Sequence, residues 1–327
     1  MNEAFISLIR SSAELGASDI HIVNGKIYRR HHGELALLPT PSDFPESQEI
    51  ISDLLSDDER DTLNKFGAAD FALTVDDIRL RVNAYREDNG LAAAIRLLPV
   101  NFPTVEELHL DRIARRLNSV LEMRAGGIVL VTGTTGSGKS TTLASLMDWL
   151  LGMRPRHAVT LEDPIEYTFR PGNEDSLISR REYGRDFSDF SQGIRQSLRE
   201  MPDILLVGEI RDEAAMTAVM QAAESGILVL ASLHTGTAPG AVERVAGFYA
   251  PERQPVILQQ LSQVLVVVIA QRLVRTSDGR LAIHEILTAT PAVRNLVRTG
   301  NTAQLASAIV AGGSDDMITF EQSARRI

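Results

Sequence analysis

Residues 128–151, with the sequence IVLVTGTTGSGKSTTLASLMDWLL, decide the fold of this chain. Their centre, Gly133–Ser140, matches the pattern G-x-x-x-x-G-K-[ST] of a phosphate-binding loop. The loop follows the apolar run Ile128–Val131 and precedes the amphipathic segment Thr141–Leu151, so strand, loop and helix come in the required order. Glycines let backbone N–H groups turn inward around phosphate oxygens, and the helix adds its positive dipole end. A Gly-rich turn that matched by chance would lack this context.

This phosphate loop predicts a bound nucleoside triphosphate with its metal ion. We expect Lys139 to reach the β- and γ-phosphates of ATP, and the hydroxyl of Ser140 to coordinate Mg²⁺. The residues predicted to bind the nucleotide are Gly133, Thr134, Thr135, Gly136, Ser137, Gly138, Lys139, Ser140 and Thr141.

Three further apolar runs of strand length repeat the pattern along the chain. They are Ala158–Leu161, Ile204–Val207 and Ile227–Leu233, and stretches with helical periodicity separate them. Strands that are apolar throughout are buried on both faces, as in a parallel sheet covered by crossover helices. We therefore expect an α/β domain around the phosphate loop.

The N-terminal third of the chain shows a different pattern. Apolar positions recur with helical spacing over residues 2–16, and the stretch 78–84 alternates apolar with polar residues. This indicates a small α+β domain with a half-exposed sheet. Prolines and an asparagine over residues 99–103 interrupt the periodicity, because proline cannot continue helix or ladder hydrogen bonding. We expect an N-terminal domain over residues 1–98, a linker over 99–106 and the phosphate-loop domain over 107–327.

Composition narrows the classes of function. The 327 residues suffice for two domains with separate cores. The formal net charge of -10 works against a broad electrostatic grip on nucleic acid. With no cysteine, disulfides, thiolate zinc sites and cysteine nucleophiles are excluded. The longest apolar run, Val264–Ala270, is far below the roughly 20 residues of a transmembrane helix, and the N-terminus lacks a signal-peptide core, so we expect a cytoplasmic protein.

Acidic residues follow two of the predicted strands. Glu209 comes just after Ile204–Val207, and we expect it to reach Mg²⁺, partly through water, or to orient the attacking water. Taken alone, a strand-terminal glutamate is more often a solvated strand end. The phosphate loop earlier in the chain favours the catalytic interpretation.

The segment Thr160–Tyr167, TLEDPIEY, places three carboxylates where a strand ends and Pro164 forces a turn. Hydrolysis needs an acceptor that orients the water nucleophile. We predict that Glu166 has this role, with Glu162 as the next candidate. The alternative is an acidic turn capped by Asp163.

His234 follows the apolar run Ile227–Leu233, so its imidazole emerges at the end of a predicted strand. From there it could sense the γ-phosphate through a hydrogen bond. A lone histidine after a strand is usually structural, and both interpretations stay open.

Together these segments resemble the type II/IV secretion ATPase superfamily. Its Walker A, Asp box, Walker B and His box motifs are similar, in that order, to GTTGSGKS, TLEDPIEY, LLVGEIRD and ASLHTGTA. The segments Ala17–Ile22 and Arg79–Tyr85 also resemble the family's N-terminal signature and the strand that bears its first arginine finger. The resemblance implies a RecA-like P-loop ATPase domain of α/β class and a smaller N-terminal PAS-like α+β domain.

The resemblance also implies a homohexamer, in which the PAS-like domain of one subunit helps complete the ATP site of a neighbour. Arg81 and Arg96 match the positions of the family's arginine fingers, which neutralise charge on the transferred phosphoryl group. Arg199 matches the arginine that the family has before its Walker B strand. Exposed strand arginines without a catalytic role are the alternative for Arg81 and Arg96.

Two features are similar to the branch of the family that retracts type IV pili. From its 327 residues without cysteine, we expect neither the long N-terminal domains nor the four-cysteine module of many assembly and type II secretion ATPases. Residues Ala292–Arg298, AVRNLVR, resemble the C-terminal motif of retraction ATPases, and a plain amphipathic helix is the alternative. The chain departs from the family at Thr299, where the motif has glutamate, and at Ile227, where a second histidine is common.

Membership of that branch implies ATP hydrolysis coupled to pilin disassembly and twitching motility. The implied partners are an inner-membrane pilus platform protein and a paralogous pilus ATPase, at the inner-membrane base of the pilus machine. A motor of a conjugative, type IV or type II secretion system remains an alternative. So does a RecA-like nucleic-acid translocase, although the acidic balance and an aromatic content of 5% disfavour a basic, aromatic-bearing groove. A protein that binds ATP without hydrolysing it is disfavoured by the set Lys139, Ser140, Glu166 and Glu209.

Overall fold

A computed structural model describes residues 2–31, 33–39, 45–98, 102–167, 169, 173–276 and 279–326 of the chain. The chain divides into two compact units. The N-terminal unit comprises Met1–Asn101 together with Pro164–Thr168, and the C-terminal unit comprises Phe102–Asp163 and Phe169–Ile327. Positions 99–101 of the predicted linker lie outside the described residues. Within the described ranges, none of the helices has the length and hydropathy that crossing a bilayer requires.

An antiparallel sheet is the centre of the N-terminal unit. Its elements, in chain order, are α1 (Glu3–Glu14), β1 (Asp19–Val23), β2 (Lys26–His31), β3 (Glu34–Leu38), α2 (Ser47–Leu54), α3 (Asp57–Phe66), β4 (Ala68–Val75), β5 (Ile78–Glu87) and β6 (Gly90–Leu97). The six strands lie in the order β3-β2-β1-β6-β5-β4, and each paired neighbour is antiparallel.

Strand β5 shows why this sheet has one buried face. Leu80, Val82 and Ala84 are fully buried in the core, while Arg79 and Arg81, on the other side of the strand, are only partly buried. Side chains of a strand alternate between the two faces of the sheet, so the sequence pattern sets this division. The predicted half-exposed sheet is confirmed.

A second sheet organises the C-terminal unit. Its elements are α4 (Asp111–Glu122), β7 (Gly127–Thr132), α5 (Lys139–Met153), β8 (His157–Glu162), β9 (Leu177–Glu182), α6 (Phe190–Ser197), β10 (Ile204–Val207), α7 (Glu213–Glu224), β11 (Leu228–Leu233), α8 (Ala238–Gly247), α9 (Gln254–Val264), β12 (Leu265–Thr276), β13 (Gly279–Thr288), α10 (Pro291–Arg298), α11 (Leu305–Ala311) and α12 (Phe320–Ala324). Short 3₁₀ turns lie at Leu198–Glu200, Thr302–Gln304 and Gly313–Asp315.

The seven strands of this sheet lie in the order β13-β12-β7-β11-β10-β8-β9. All neighbours are parallel except β12 and β13, which form an antiparallel hairpin at one edge. Residues of β7, β10 and β11 are almost completely excluded from solvent, because helices cover both faces of a parallel sheet. The predicted α/β class and the four predicted buried strands are confirmed.

The register of the parallel strands places their carboxyl ends at one edge, which we call the carboxyl edge. Thr132 at the end of β7 pairs with Leu233 at the end of β11, and Val207 of β10 pairs with Leu161 of β8. The loops that follow these four strands therefore lie together at the carboxyl edge. In open α/β sheets this is where ligands bind.

Candidate active site

The phosphate loop Gly133–Ser140 joins the end of β7 to the start of α5 and depends on two of its glycines. A Cβ on Gly133 would overlap Ser137 Oγ and the Gln271 carbonyl oxygen, so a side chain has no room there. Gly138 has φ +87°, and a Cβ on it would lie 2.8 Å from Gln271 Nε2. Glycine is the residue that adopts such backbone angles without strain. The loop can therefore wind tightly around a ligand.

Three observations show that this loop fits a phosphate group. Helix α5 begins at Lys139, and among the described residues no side chain caps its first turn. Ser137 Oγ is buried in the described structure without a hydrogen-bond partner. The Lys139 ammonium lies over the loop and donates to the carbonyl oxygens of Gly133 and Thr134 at 3.0 and 3.2 Å. Uncapped N–H groups, a helix dipole and a positive charge together make an anion site.

A chain of polar contacts crosses the carboxyl edge from the phosphate loop to the segment after β8. Lys139 Nζ lies 3.5 Å from His234 Nδ1, and His234 Nε2 lies 3.2 Å from Glu209 Oε1. Arg211 Nε then donates to Glu209 Oε2 at 3.0 Å, and Arg211 Nη1 lies 3.3 Å from Asp163 Oδ2. The loops that follow β7, β11, β10 and β8 are thereby joined in a single network.

The two neighbours of His234 determine its tautomer. The Glu209 carboxylate can only accept a hydrogen bond, whereas the Lys139 ammonium can only donate one. His234 therefore carries its proton on Nε2, which faces Glu209, and presents the lone pair of Nδ1 to Lys139. The imidazole links the phosphate-binding ammonium to the carboxylate on the neighbouring strand end.

Arg211 is held as a cation between two carboxylates. Burial of its guanidinium tends to lower its pKa, but the hydrogen bond and charge of Glu209, with a further contribution from Asp163, outweigh burial and raise it. Glu209 in turn keeps a fixed orientation, because Arg211 and His234 each contact one of its two oxygens.

Two other predicted residues lie in the same unit. Glu162 is the last residue of β8, is buried, and therefore lies at the carboxyl edge. Arg199 is exposed in the 3₁₀ turn that precedes β10. Ile227, where the family commonly has a second histidine, is buried in the hydrophobic core just before β11.

The N-terminal unit brings Arg81 and Glu166 together. Arg81 Nη1 on β5 lies 3.9 Å from Glu166 Oε1, and Arg79 Nε on the same strand donates to the Ile165 carbonyl oxygen at 3.0 Å. Both contacts hold the segment Pro164–Thr168, which groups with this unit rather than with the strand before it. Arg96, on β6, donates instead to Asp19 Oδ1 at 3.0 Å.

The sequence did not indicate the residues that hold the phosphate loop in place by hydrogen bonds. Gln271, buried on β12, donates to the Ser137 carbonyl oxygen at 2.7 Å and accepts from the Thr142 hydroxyl at 2.5 Å. Thr132 Oγ1 accepts from the Thr235 backbone N–H at 2.8 Å and ties the phosphate loop to the segment of His234. The one local signal was that Gln271 is a polar residue directly after the apolar run Val264–Ala270.

The phosphate loop lies between the buried parallel strand β7 and helix α5, and the carboxylate of Glu209 follows β10 at the same edge of the sheet. This arrangement is that of a P-loop ATPase. The family model described as "Type II/IV secretion system protein" matches residues 3–323. The type IV pilus retractation ATPase PilT of Pseudomonas aeruginosa is 39% identical over 318 residues, which cover 96% of this chain and 91% of that protein. The uncharacterized protein YggR of Escherichia coli is 41% identical over 320 residues, covering 97% of this chain and 95% of that protein.

The fold is similar to that of a solved relative. A crystal structure of the pilus retraction motor PilT with bound ADP has a TM-score of 0.83 at 34% identity, covering 97% of this chain and 95% of that chain. The present chain therefore belongs to the type II/IV secretion system protein family. It is an ATPase with the RecA-like fold of that family, as the resemblance of its motifs predicted.

The contacts of Gln271 generate a prediction about the phosphate loop. Gln271→Leu removes both hydrogen bonds with little change in side-chain size, and it leaves the Ser137 carbonyl and the Thr142 hydroxyl to find other partners. We expect a loss of about 1–3 kcal/mol in stability and a severalfold weaker affinity for ATP, measured by chemical denaturation and by titration of a fluorescent ATP analogue. Gln259→Leu, an exposed position on α9, is the matched control. An unchanged ATP affinity in Gln271→Leu would show that the loop does not need this support.

Proposed function

We propose that this chain is the motor that powers retraction of type IV pili. The supporting observation is the 39% identity, spread over 96% of the chain, with a protein named as a pilus retractation ATPase. A motor has to couple its chemistry to movement of the whole chain, and a likeness that spans both units supports a shared mechanism better than one confined to the phosphate loop.

The AVRNLVR segment supports the same proposal. It forms α10, and Arg294 within it donates to the carbonyl oxygens of Ser262 and Gln263 at 2.6 and 2.7 Å. A cation at the end of α9 interacts favourably with the helix dipole, so Arg294 anchors α10 to α9. Arg298 on the same helix donates to Asn295 Oδ1 at 2.7 Å and is exposed, so a partner protein can reach it.

We infer that Ser140 and Glu209 hold Mg²⁺ together with oxygens of the nucleotide. Hydroxyl and carboxylate oxygens are ligands that Mg²⁺ prefers. The described residues contain no cluster of three or more acidic or histidine side chains that could hold a metal, so phosphate and water oxygens would complete its coordination. When bound, the ion neutralises charge on the β- and γ-phosphates. His234 and Arg211 hold Glu209 in the orientation that a water-mediated contact needs.

Glu166 is the residue to which we assign orientation of the attacking water, with Glu162 second. Arg81 lies 3.9 Å from the Glu166 carboxylate and can steer it. Glu162 is buried at the carboxyl edge, beside the segment that carries Asp163. The two carboxylates thus belong to different units, and their variants can show which unit supplies the acceptor.

We further propose a homohexamer with a PAS-like domain over residues 1–98, a linker over 99–106 and the ATPase domain over 107–327. Arg81 and Arg96 of one subunit would complete the ATP site of the next, with Arg199 as an additional positive charge. Hydrolysis then depends on the position of a neighbour, which couples turnover to rigid-body movement. The proposed partners are a pilus platform protein at the inner-membrane base and a paralogous pilus ATPase.

The function is tested by deleting the gene in its piliated host. We expect excess surface pili and loss of surface motility, because filaments would still assemble without being withdrawn. Wild-type protein should restore motility, and Lys139→Ala should not, since Lys139 is the cation of the phosphate loop. Lys65→Ala, an exposed lysine of α3, should restore it fully. Cells without pili would indicate an assembly motor, and normal pili with a secretion defect would indicate a secretion motor.

Substitution of the two carboxylates tests the choice of acceptor. Glu166→Gln keeps the size of the side chain and removes its charge, so we expect ATP binding to persist and kcat to fall about 10²–10⁴-fold. Glu162→Gln should lower kcat less. Single-turnover phosphate release from purified protein measures both variants. A larger defect in Glu162→Gln would transfer the role to Glu162.

Mixed rings test whether Arg81 acts on a neighbour. Arg81→Ala alone should lower kcat by roughly 10³-fold, as for an arginine finger, and Lys139→Ala alone should be inactive. Mixing the two variants should recover part of the activity if Lys139→Ala subunits supply Arg81 to intact phosphate loops. Arg86→Ala, on the same strand, should behave as wild type. No recovery on mixing would indicate that Arg81 acts within its own chain, through Glu166.

A further inference from the structure

The C-terminal unit contains a cavity that is separate from the phosphate loop. It measures about 290 Å³ and is lined by residues from α4, β13, the turn around Asp316 and α12. No residue of the phosphate loop and no residue assigned to catalysis lines it. The cavity therefore needs an explanation of its own.

A buried histidine forms part of the wall of this cavity. His284 on β13 is 3% exposed, and its Nε2 has no hydrogen-bond partner among the described residues. Its backbone N–H donates to Ser323 Oγ at 3.0 Å, whereas Nε2 of the ring is buried without a partner among the described residues. Burial lowers the pKa of His284 to about 4, with a smaller effect from His109, so the ring is neutral near pH 7. A neutral imidazole has one N–H, and an oxyanion beside Nε2 would select the tautomer in which this nitrogen is the donor.

Positive charge dominates around the same cavity. Arg112 and Arg326 line it, and Asp316 is the acidic residue of its wall. Asp316 is already shared between Arg112 and Arg116, each at 3.4 Å. One carboxylate therefore faces several guanidinium groups, and the exposed His109 adds a further donor.

The donor set points to an anion. The described residues include no group of three or more acidic or histidine side chains that could hold a metal, so His109, His284 and Asp316 do not form a cation site. Guanidinium groups bind carboxylates and phosphates through several hydrogen bonds at once. We propose that this cavity is a binding site for a small oxyanion, a phosphate- or carboxylate-bearing ligand that pairs with Arg112 and Arg326 and accepts a hydrogen bond from His284 Nε2.

The position of the cavity gives such a ligand a structural role. It would connect α4, the first helix of the unit, with α12 near its end. His284 is also the cross-strand partner of Gln271, which fastens the phosphate loop. Directly opposed residues of an antiparallel pair lie on the same face of the sheet, so the ligand would bind next to that support.

Binding is tested on the full chain saturated with Mg²⁺ and a non-hydrolysable ATP analogue, so that the phosphate loop is occupied. Inorganic phosphate and acetate, which does not chelate Mg²⁺, are the probes, in separate titrations followed by calorimetry. We expect one further saturable site per subunit for at least one probe. The probe that binds more tightly identifies the ligand as a phosphate or as a carboxylate.

Variants assign that site to the cavity. His284→Leu and Arg112→Ser should each weaken binding at least about tenfold, since each removes a hydrogen-bonding partner of the anion. Arg115→Ser removes the same charge from the same helix without touching the cavity, and it should bind as wild type. Thermal melting shows whether each variant is folded. If His284→Leu does not fold, Arg112→Ser, which changes an exposed residue at the rim of the cavity, provides the test by itself. Absence of saturable binding, or equal binding in Arg112→Ser and Arg115→Ser, would overturn the proposal.

Discussion

The candidate active site depends on the parallel alignment of β7, β8, β10 and β11. Because these strands run in one direction and in register, their carboxyl ends lie along one edge of the sheet. Lys139, Glu162, Glu209 and His234 each follow or end one of these strands, and they are brought together although they span nearly a hundred positions of sequence. Helices on both faces of the sheet bury the strands completely, so this edge is the place where the polar chemistry can be exposed.

Hydrogen bonds and ion pairs connect the segments that follow the four strands into one network. The contacts run from Lys139 through the neutral imidazole of His234 to Glu209, and from there through Arg211 to Asp163. A phosphate that draws Lys139 away from the loop carbonyls would also affect the hydrogen bond of His234, and through it the orientation of Glu209. His234 therefore connects the lysine of the phosphate loop to the carboxylate that follows β10.

The antiparallel hairpin of β12 and β13 contributes one residue to the support of the phosphate loop and one to the wall of the separate cavity. On β12, Gln271 bonds the phosphate loop and helix α5. Opposite it on β13, His284 lines the separate cavity with its excess of guanidinium groups. Both side chains are buried polar groups of the sheet: Gln271 has its hydrogen bonds to the phosphate loop and α5, and His284 faces the cavity.

The sequence by itself determined the phosphate loop, the buried strands and the half-exposed N-terminal sheet. Each of these is encoded locally: glycine spacing specifies the turn, and apolar runs or alternation specify which faces are buried. It also indicated Glu209 and His234, because a polar residue after a buried strand has to emerge at the end of a sheet.

Only the tertiary structure revealed the contacts of Gln271, Thr132 and Arg211, the place of His284 in a cavity wall, and the grouping of Glu166 with Arg81. Their partners lie in other elements, often more than a hundred residues away, as for Thr142 and Gln271. The order of the strands in the sheet decides which of these side chains meet. That order results from packing of the whole chain, so no local pattern around these residues could show it.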